Sequence, residues 1–173
     1  DAMPGAIDIA QIDLAGTFTI TTSSDPTVAG LILGGADSSP TFNLGSRTLT
    51  LDGAGTILTG ATMRFGGGGR VAGSGSLTNQ GTINVGGSTE QIDVMFQNAV
   101  GASLLVSGAF APTTLTVANG FTNEGTITIN TAGNPFNNGD GSATLNVTSG
   151  TLVNAPGATI LSTQFNTQGA NFL

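Results

Sequence analysis

Residues 77–85 read Leu-Thr-Asn-Gln-Gly-Thr-Ile-Asn-Val, and residues 121–129 read Phe-Thr-Asn-Glu-Gly-Thr-Ile-Thr-Ile. Each copy opens on an apolar residue, reaches an Asn-x-Gly corner, and leaves it as a run in which polar and apolar residues alternate, the pattern of a half-buried strand. Two longer variants follow the same plan: Phe96-Gln-Asn98-Ala-Val-Gly101-Ala-Ser-Leu104 and Leu152-Val-Asn154-Ala-Pro-Gly157-Ala-Thr-Ile160. The asparagines at 79, 98, 123 and 154 are 19, 25 and 31 residues apart. Such drift fits one supersecondary unit repeated with loop insertions of growing length.

The corner residues have physical roles. Asn79, Asn98, Asn123 and Asn154 are read as tolerating a left-handed or bridging backbone while their amides hydrogen-bond to the turn. If the units stack as coils, those amides can also bond to one another as a ladder. Gly81, Gly101, Gly125 and Gly157 are read as supplying a positive φ at the corner without steric cost. A hairpin-rich sandwich has no reason to repeat one corner sequence.

Outward from the repeat, short strands are expected throughout: Gly16–Thr21 with Phe18 and Ile20 inward, then 31–33, 41–44, 48–51, 57–58, 63–65 and 71–73. In 7–14, Ile7 and Ile9 share one side, as do Ile12 and Leu14, with Asp8 and Asp13 opposite. No stretch shows a 3.6-residue period over the ten or more residues of a helix, and glycine recurs too often for one. The chain is therefore all-β, and its 173 residues suit a single domain.

Charged residues make up only 8 % of the chain and the net charge is −7, with Arg47, Arg64 and Arg70 the only cations. That argues against nucleic acid, which needs a basic footprint, and against anionic membrane surfaces. No apolar run approaches the ~18 residues of a spanning helix, so membrane insertion is not expected. There is no cysteine for a disulfide or thiolate site. The start, Asp1-Ala2-Met3-Pro4, suits a mature secreted protein or an excised domain.

The Asn-x-Gly-Thr-Ile and Asn-Ala-x-Gly-Ala units resemble the degenerate repeats of bacterial secreted β-solenoids, among them autotransporter passengers and filamentous-haemagglutinin-like exoproteins. The likeness covers about residues 40–162 and is strongest after Leu77. It implies a right-handed parallel β-helix (β-solenoid), a secreted or cell-surface setting, and a role in adhesion or scaffolding. The alternative is a Gly/Thr-rich β-sandwich of the strand-exchanging pilin type. At ~20–25 residues per coil the solenoid would have about seven or eight coils and be about 35 Å long. Residues 1–16 are read as an N-terminal cap or an exchanged strand.

Such a rod exposes unpaired edges at its ends, which natural proteins cap or use for association. Self-association, as a homopolymer or by head-to-tail stacking, is expected there, with Ile7, Ile9, Ile12 and Leu14 at one end and Phe165, Phe172 and Leu173 at the other. A host or glycan surface is a further expected partner.

Catalysis has little to work with, because His, Cys, Lys and Tyr are absent. Glu90 and Asp93 form the nearest acidic pair and are read as a solvated loop pair. Asn137, Asn138 and Asp140, in a Gly-rich loop, are weak calcium candidates and a plain solvent loop is the stronger reading; no other cofactor is implied. Gly66–Gly69 lacks the Lys-Ser/Thr of a phosphate loop and is read as a turn or as backbone packed against a neighbour. Paired threonines such as Thr126 and Thr128 share a strand face, so an ice-binding or glycan-binding row is the alternative function. The reading is non-enzymatic: an extracellular adhesin segment or the subunit of a self-assembling surface filament.

Overall fold

The structure, a computed structural model, describes residues 4–108, 111–132 and 141–165. Twenty strands and no helix occur among the described residues, and they wind as three parallel sheets of a β-solenoid. The first sheet contains β1 (Ile9–Ile12), β4 (Gly30–Leu33), β7 (Ala54–Ile57), β10 (Ser76–Asn79), β13 (Met95–Asn98), β16 (Phe121–Asn123) and β19 (Leu152–Asn154). The second contains β2 (Gly16–Thr21), β5 (Ser38–Gly45), β8 (Thr62–Phe65), β11 (Thr82–Gly86), β14 (Ser103–Gly108), β17 (Thr126–Ala132) and β20 (Thr159–Phe165). The third contains β3 (Thr27–Val28), β6 (Thr48–Leu51), β9 (Arg70–Ala72), β12 (Thr89–Ile92), β15 (Thr113–Val117) and β18 (Ala143–Val147).

Every coil visits the three sheets in the same order, so strands three apart in sequence are neighbours in space. Seven layers at ~4.8 Å give a rod roughly 34 Å long. The N-terminal third belongs to the same solenoid: β1 pairs in parallel with β4, Ile9 opposite Gly30 and Ile12 opposite Leu33.

Parallel strands leave one face of each sheet inside, and the alternation of the sequence fills that interior with stacked apolar rows. One row runs Ile20, Phe42, Met63, Ile83, Leu104, Ile127 and Ile160 along the second sheet. Another runs Leu49, Val71, Ile92, Val117 and Val147 along the third. Leu33, Leu49, Met63, Ile83, Leu104 and Ile127 are fully buried. Phe96 and Phe121 stack in tilted contact, with centroids 4.9 Å apart.

Candidate functional site: the amide ladder and the open ends

The four repeat asparagines occupy one inward position of the first sheet, each the last residue of its strand. Asn79 Nδ2 donates to Asn98 Oδ1 at 2.8 Å, Asn98 Nδ2 to Asn123 Oδ1 at 2.7 Å, and Asn123 Nδ2 to Asn154 Oδ1 at 2.6 Å. Each of these three amides also donates to a carbonyl one coil on: Ser103 O, Thr126 O and Thr159 O. Gly81 N–H closes the start of the ladder on Asn79 Oδ1, and Asn154 Nδ2 closes its end on Ala158 O. Reversing one amide would set N–H against N–H, so the ladder runs in one direction. Asn79, Asn98 and Asn123 are fully buried, where an unpaired amide would cost about 1–3 kcal/mol.

The expected left-handed asparagine is not found: no described non-glycine residue has a positive φ. The asparagines stay extended because the neighbouring coils supply the partners their amides need. The glycine expectation holds at two of the four corners. Gly101 and Gly157 have φ of 78° and 86° and sit third in the turns Ala99–Ala102 and Ala155–Ala158, each closed by a 3.0 Å hydrogen bond in the manner of a type II turn. Gly81 and Gly125 do not have a positive φ. A Cβ on Gly81 would lie 2.4 Å from Leu58 O and 2.5 Å from Ala61 O, and one on Gly125 would lie 2.4 Å from Ala102 O. These glycines are required by close approach, because each two-residue corner nests under the wider turn of the preceding coil.

Of the residues expected at the ends, Ile7 is 92 % exposed, Ile9 65 % and Leu14 72 %. Ile12 instead faces the core and lines a cavity of about 340 Å³ at the N-terminal mouth of the bore, with Ile20, Val28, Leu31 and Phe42. Phe165 ends β20, while Phe172 and Leu173 lie outside the described residues. The sequence reading missed Val153, Ile160 and Leu161, all exposed on the last described coil. Ile160 continues the inward row of Ile127, so its strand pattern signals burial; it is uncovered only because no described coil follows it.

Asn137, Asn138 and Asp140 also lie outside the described residues, and among the described residues no three acidic, His or Cys groups cluster as metal ligands. Glu90 and Asp93 are not a solvated pair. Glu90 is fully buried on the inner face of β12, whereas Asp93 is half-buried and ion-paired with Arg70. Burial pushes the Glu90 carboxyl up from its ordinary value, against a smaller opposing effect of the backbone N–H groups of Gly68, Glu90 and Ser88. The acidic pair needed for glycoside hydrolysis is therefore not presented in a groove at this point. Among the glycines of Gly66–Gly69, Gly67 and Gly68 have positive φ, and a Cβ on Gly69 would lie 2.3 Å from Gly45 O.

One outward row of the second sheet is hydroxylic in every coil: Thr19, Thr41, Thr62, Thr82, Ser103, Thr126 and Thr159. The next outward row is mixed, running Thr21, Asn43, Arg64, Asn84, Leu105, Thr128 and Leu161. No protein-family model, curated protein or solved structure matches the chain.

Proposed function

We propose that the chain is a non-enzymatic, extracellular scaffold segment of the adhesin or surface-filament kind, which assembles by stacking its ends on other copies. One observation carries this reading. Of the eight exposed large apolar side chains among the described residues, six lie in the first and last coils: Ile7, Ile9, Leu14, Val153, Ile160 and Leu161. Val153 and Leu161 point outward from the last coil, and elsewhere on the flanks the exposed large apolar side chains among the described residues are Met95 and Val100. Among the described residues β1–β3 and β18–β20 are the edge strands of the three sheets, and such edges offer main-chain donors and acceptors to a neighbour's strands.

Head-to-tail stacking suits the rows. Placing the first coil of one copy on the last coil of another sets Ile20 beside Ile160, which continues an existing apolar row and covers the N-terminal mouth. Asn154 would meet Ile12 at this junction, and its amide already turns back to Ala158 O at 3.0 Å. The repeats' resemblance to secreted bacterial solenoids supports the extracellular setting.

Sedimentation velocity over a range of concentrations tests the assembly. The full chain should form growing linear species, and Ile160→Lys or Ile9→Lys should leave monomers. Monomers at every concentration in the unsubstituted protein would defeat the proposal.

The continuous hydroxyl row favours a second reading, an ice or glycan surface. It predicts thermal hysteresis, or retention on a glycan matrix, that disappears in Thr82→Tyr. Absence of both in the parent protein removes it.

A further inference from the structure

Glu90 stands in an inward row of the third sheet, opposite Leu115 on one side and in line with Gly69 on the other, where Gln91 N–H donates to Gly69 O. It has no exposed surface, and neither carboxyl oxygen is met in hydrogen-bond geometry; the backbone N–H groups of Gly68, Ser88 and Glu90 nearby offset only part of the cost of burial. Isolated carboxylates are strongly disfavoured in such a site, and the usual remedies are a counter-charge, a full set of donors or retention of the proton.

No counter-charge is available. Of the strands beside β12, β9 contributes Arg70, which is ion-paired with Asp93, and β15 carries no charged residue. Around the rest of the bore at this level, β8 contributes only the exposed Arg64, and β10, β11, β13 and β14 contribute none. The adjoining corners, residues 66–69 and 86–88, are uncharged. Beside Glu90 is glycine backbone: Gly69 is in line with it and has no room for a side chain, the Gly68 N–H lies close to its carboxyl, and the corners on either side of its coil hold Gly68 and Gly87 with positive φ.

We propose that Glu90 is a proton-operated lock: while its carboxyl is neutral the glycine corners at 66–69 and 86–88 stay closed over the core, and when the proton leaves they open to admit water. The proton goes to bulk solvent, and no other bond changes. The sign follows from linkage. Below about pH 4.5, the ordinary carboxyl value, Glu90 is neutral folded or unfolded and has no effect. Above it the unfolded chain has released a proton that the folded chain still holds, so stability falls as pH rises until the folded carboxyl also ionises. Glu90's own contribution thus favours the closed solenoid in acid over mild base, opposite in sign to that of a salt-bridged carboxylate.

The chain has only two glutamates, Glu90 and Glu124, so carboxyl-¹³C-glutamate labelling gives two resonances, assigned with Glu90→Gln. The Glu90 carboxyl should remain protonated at a pH where free glutamate is ionised. At about pH 8, exchange protection of the 86–92 amides should be about tenfold lower in the parent than in Glu90→Gln, and equal at about pH 4. The melting temperature of the parent should fall by several degrees over that range relative to Glu90→Gln and to Glu90→Leu, the second variant guarding against misfolding of the first. A Glu90 carboxyl that titrates at the ordinary glutamate value, or parent and variant profiles that run parallel, would overturn the lock.

Discussion

The same inward position of the first sheet is filled in two ways. In the first three coils it holds Ile12, Leu33 and Ile57; in the last four it holds Asn79, Asn98, Asn123 and Asn154. Burying a Leu or Ile side chain contributes about 1.5–3 kcal/mol, whereas a buried amide hydrogen bond contributes only about 0.5–1.5 kcal/mol net. The aliphatic half therefore does not need the ladder for stability. What the ladder adds is direction: an apolar row tolerates small slips, but an amide row is satisfied only when every coil is in register. The corners reflect this. From Leu58 onward they alternate between four and two residues, with Gly81 and Gly125 nested under the wider turns, while the earlier corner around Gly34–Asp37 is irregular.

The largest effect should come from forcing one region's solution onto the other. Leu33→Asn buries an amide with no amide neighbour and removes a fully buried leucine, an expected loss of about 4 kcal/mol by urea denaturation. Ile57→Asn adjoins Asn79, whose oxygen can accept from it, so its cost should be smaller by about 1 kcal/mol. Equal costs would show that the ladder has no directional value.

Next comes Gly81→Ala, whose new methyl would overlap two backbone carbonyls; about 3 kcal/mol should be lost, seen as a lower midpoint with unchanged slope. Asn98→Leu should cost about 2–3 kcal/mol by stranding Asn123 Oδ1. Replacing all four asparagines by leucine should cost much less than four times that figure, because stranded partners vanish together. Additive costs would contradict the cooperative ladder. Gly101→Ala meets open space and only the strain of a left-handed backbone, so its melting curve should reflect a loss of about 1 kcal/mol.

The corner repeat was enough to read the parallel coils and the amide ladder, because Asn and Gly recur with the same neighbours and few other residues serve there. The matching apolar row was not readable: Ile12, Leu33 and Ile57 carry no signature that sets them apart from other core residues, and only register reveals them as the same position. The two kinds of glycine look alike in sequence, since the demand on Gly81 comes from Leu58 and Ala61, a coil away. Glu90 was misread as solvated for the ordinary reason that a charged residue beside polar neighbours marks a surface; its burial follows from the alternation of β12, in which Glu90 and Ile92 share the inner face. The end surfaces were half readable, as Ile7, Ile9 and Leu14 stand out while Ile160 reads as core.

Fibre diffraction from the concentrated, unsubstituted chain tests end-to-end stacking most directly. Head-to-tail assembly predicts a ~4.8 Å reflection along the fibre axis together with an axial repeat of about 34 Å, one rod of seven layers. Isotropic scattering from separate rods about 34 Å long would contradict it.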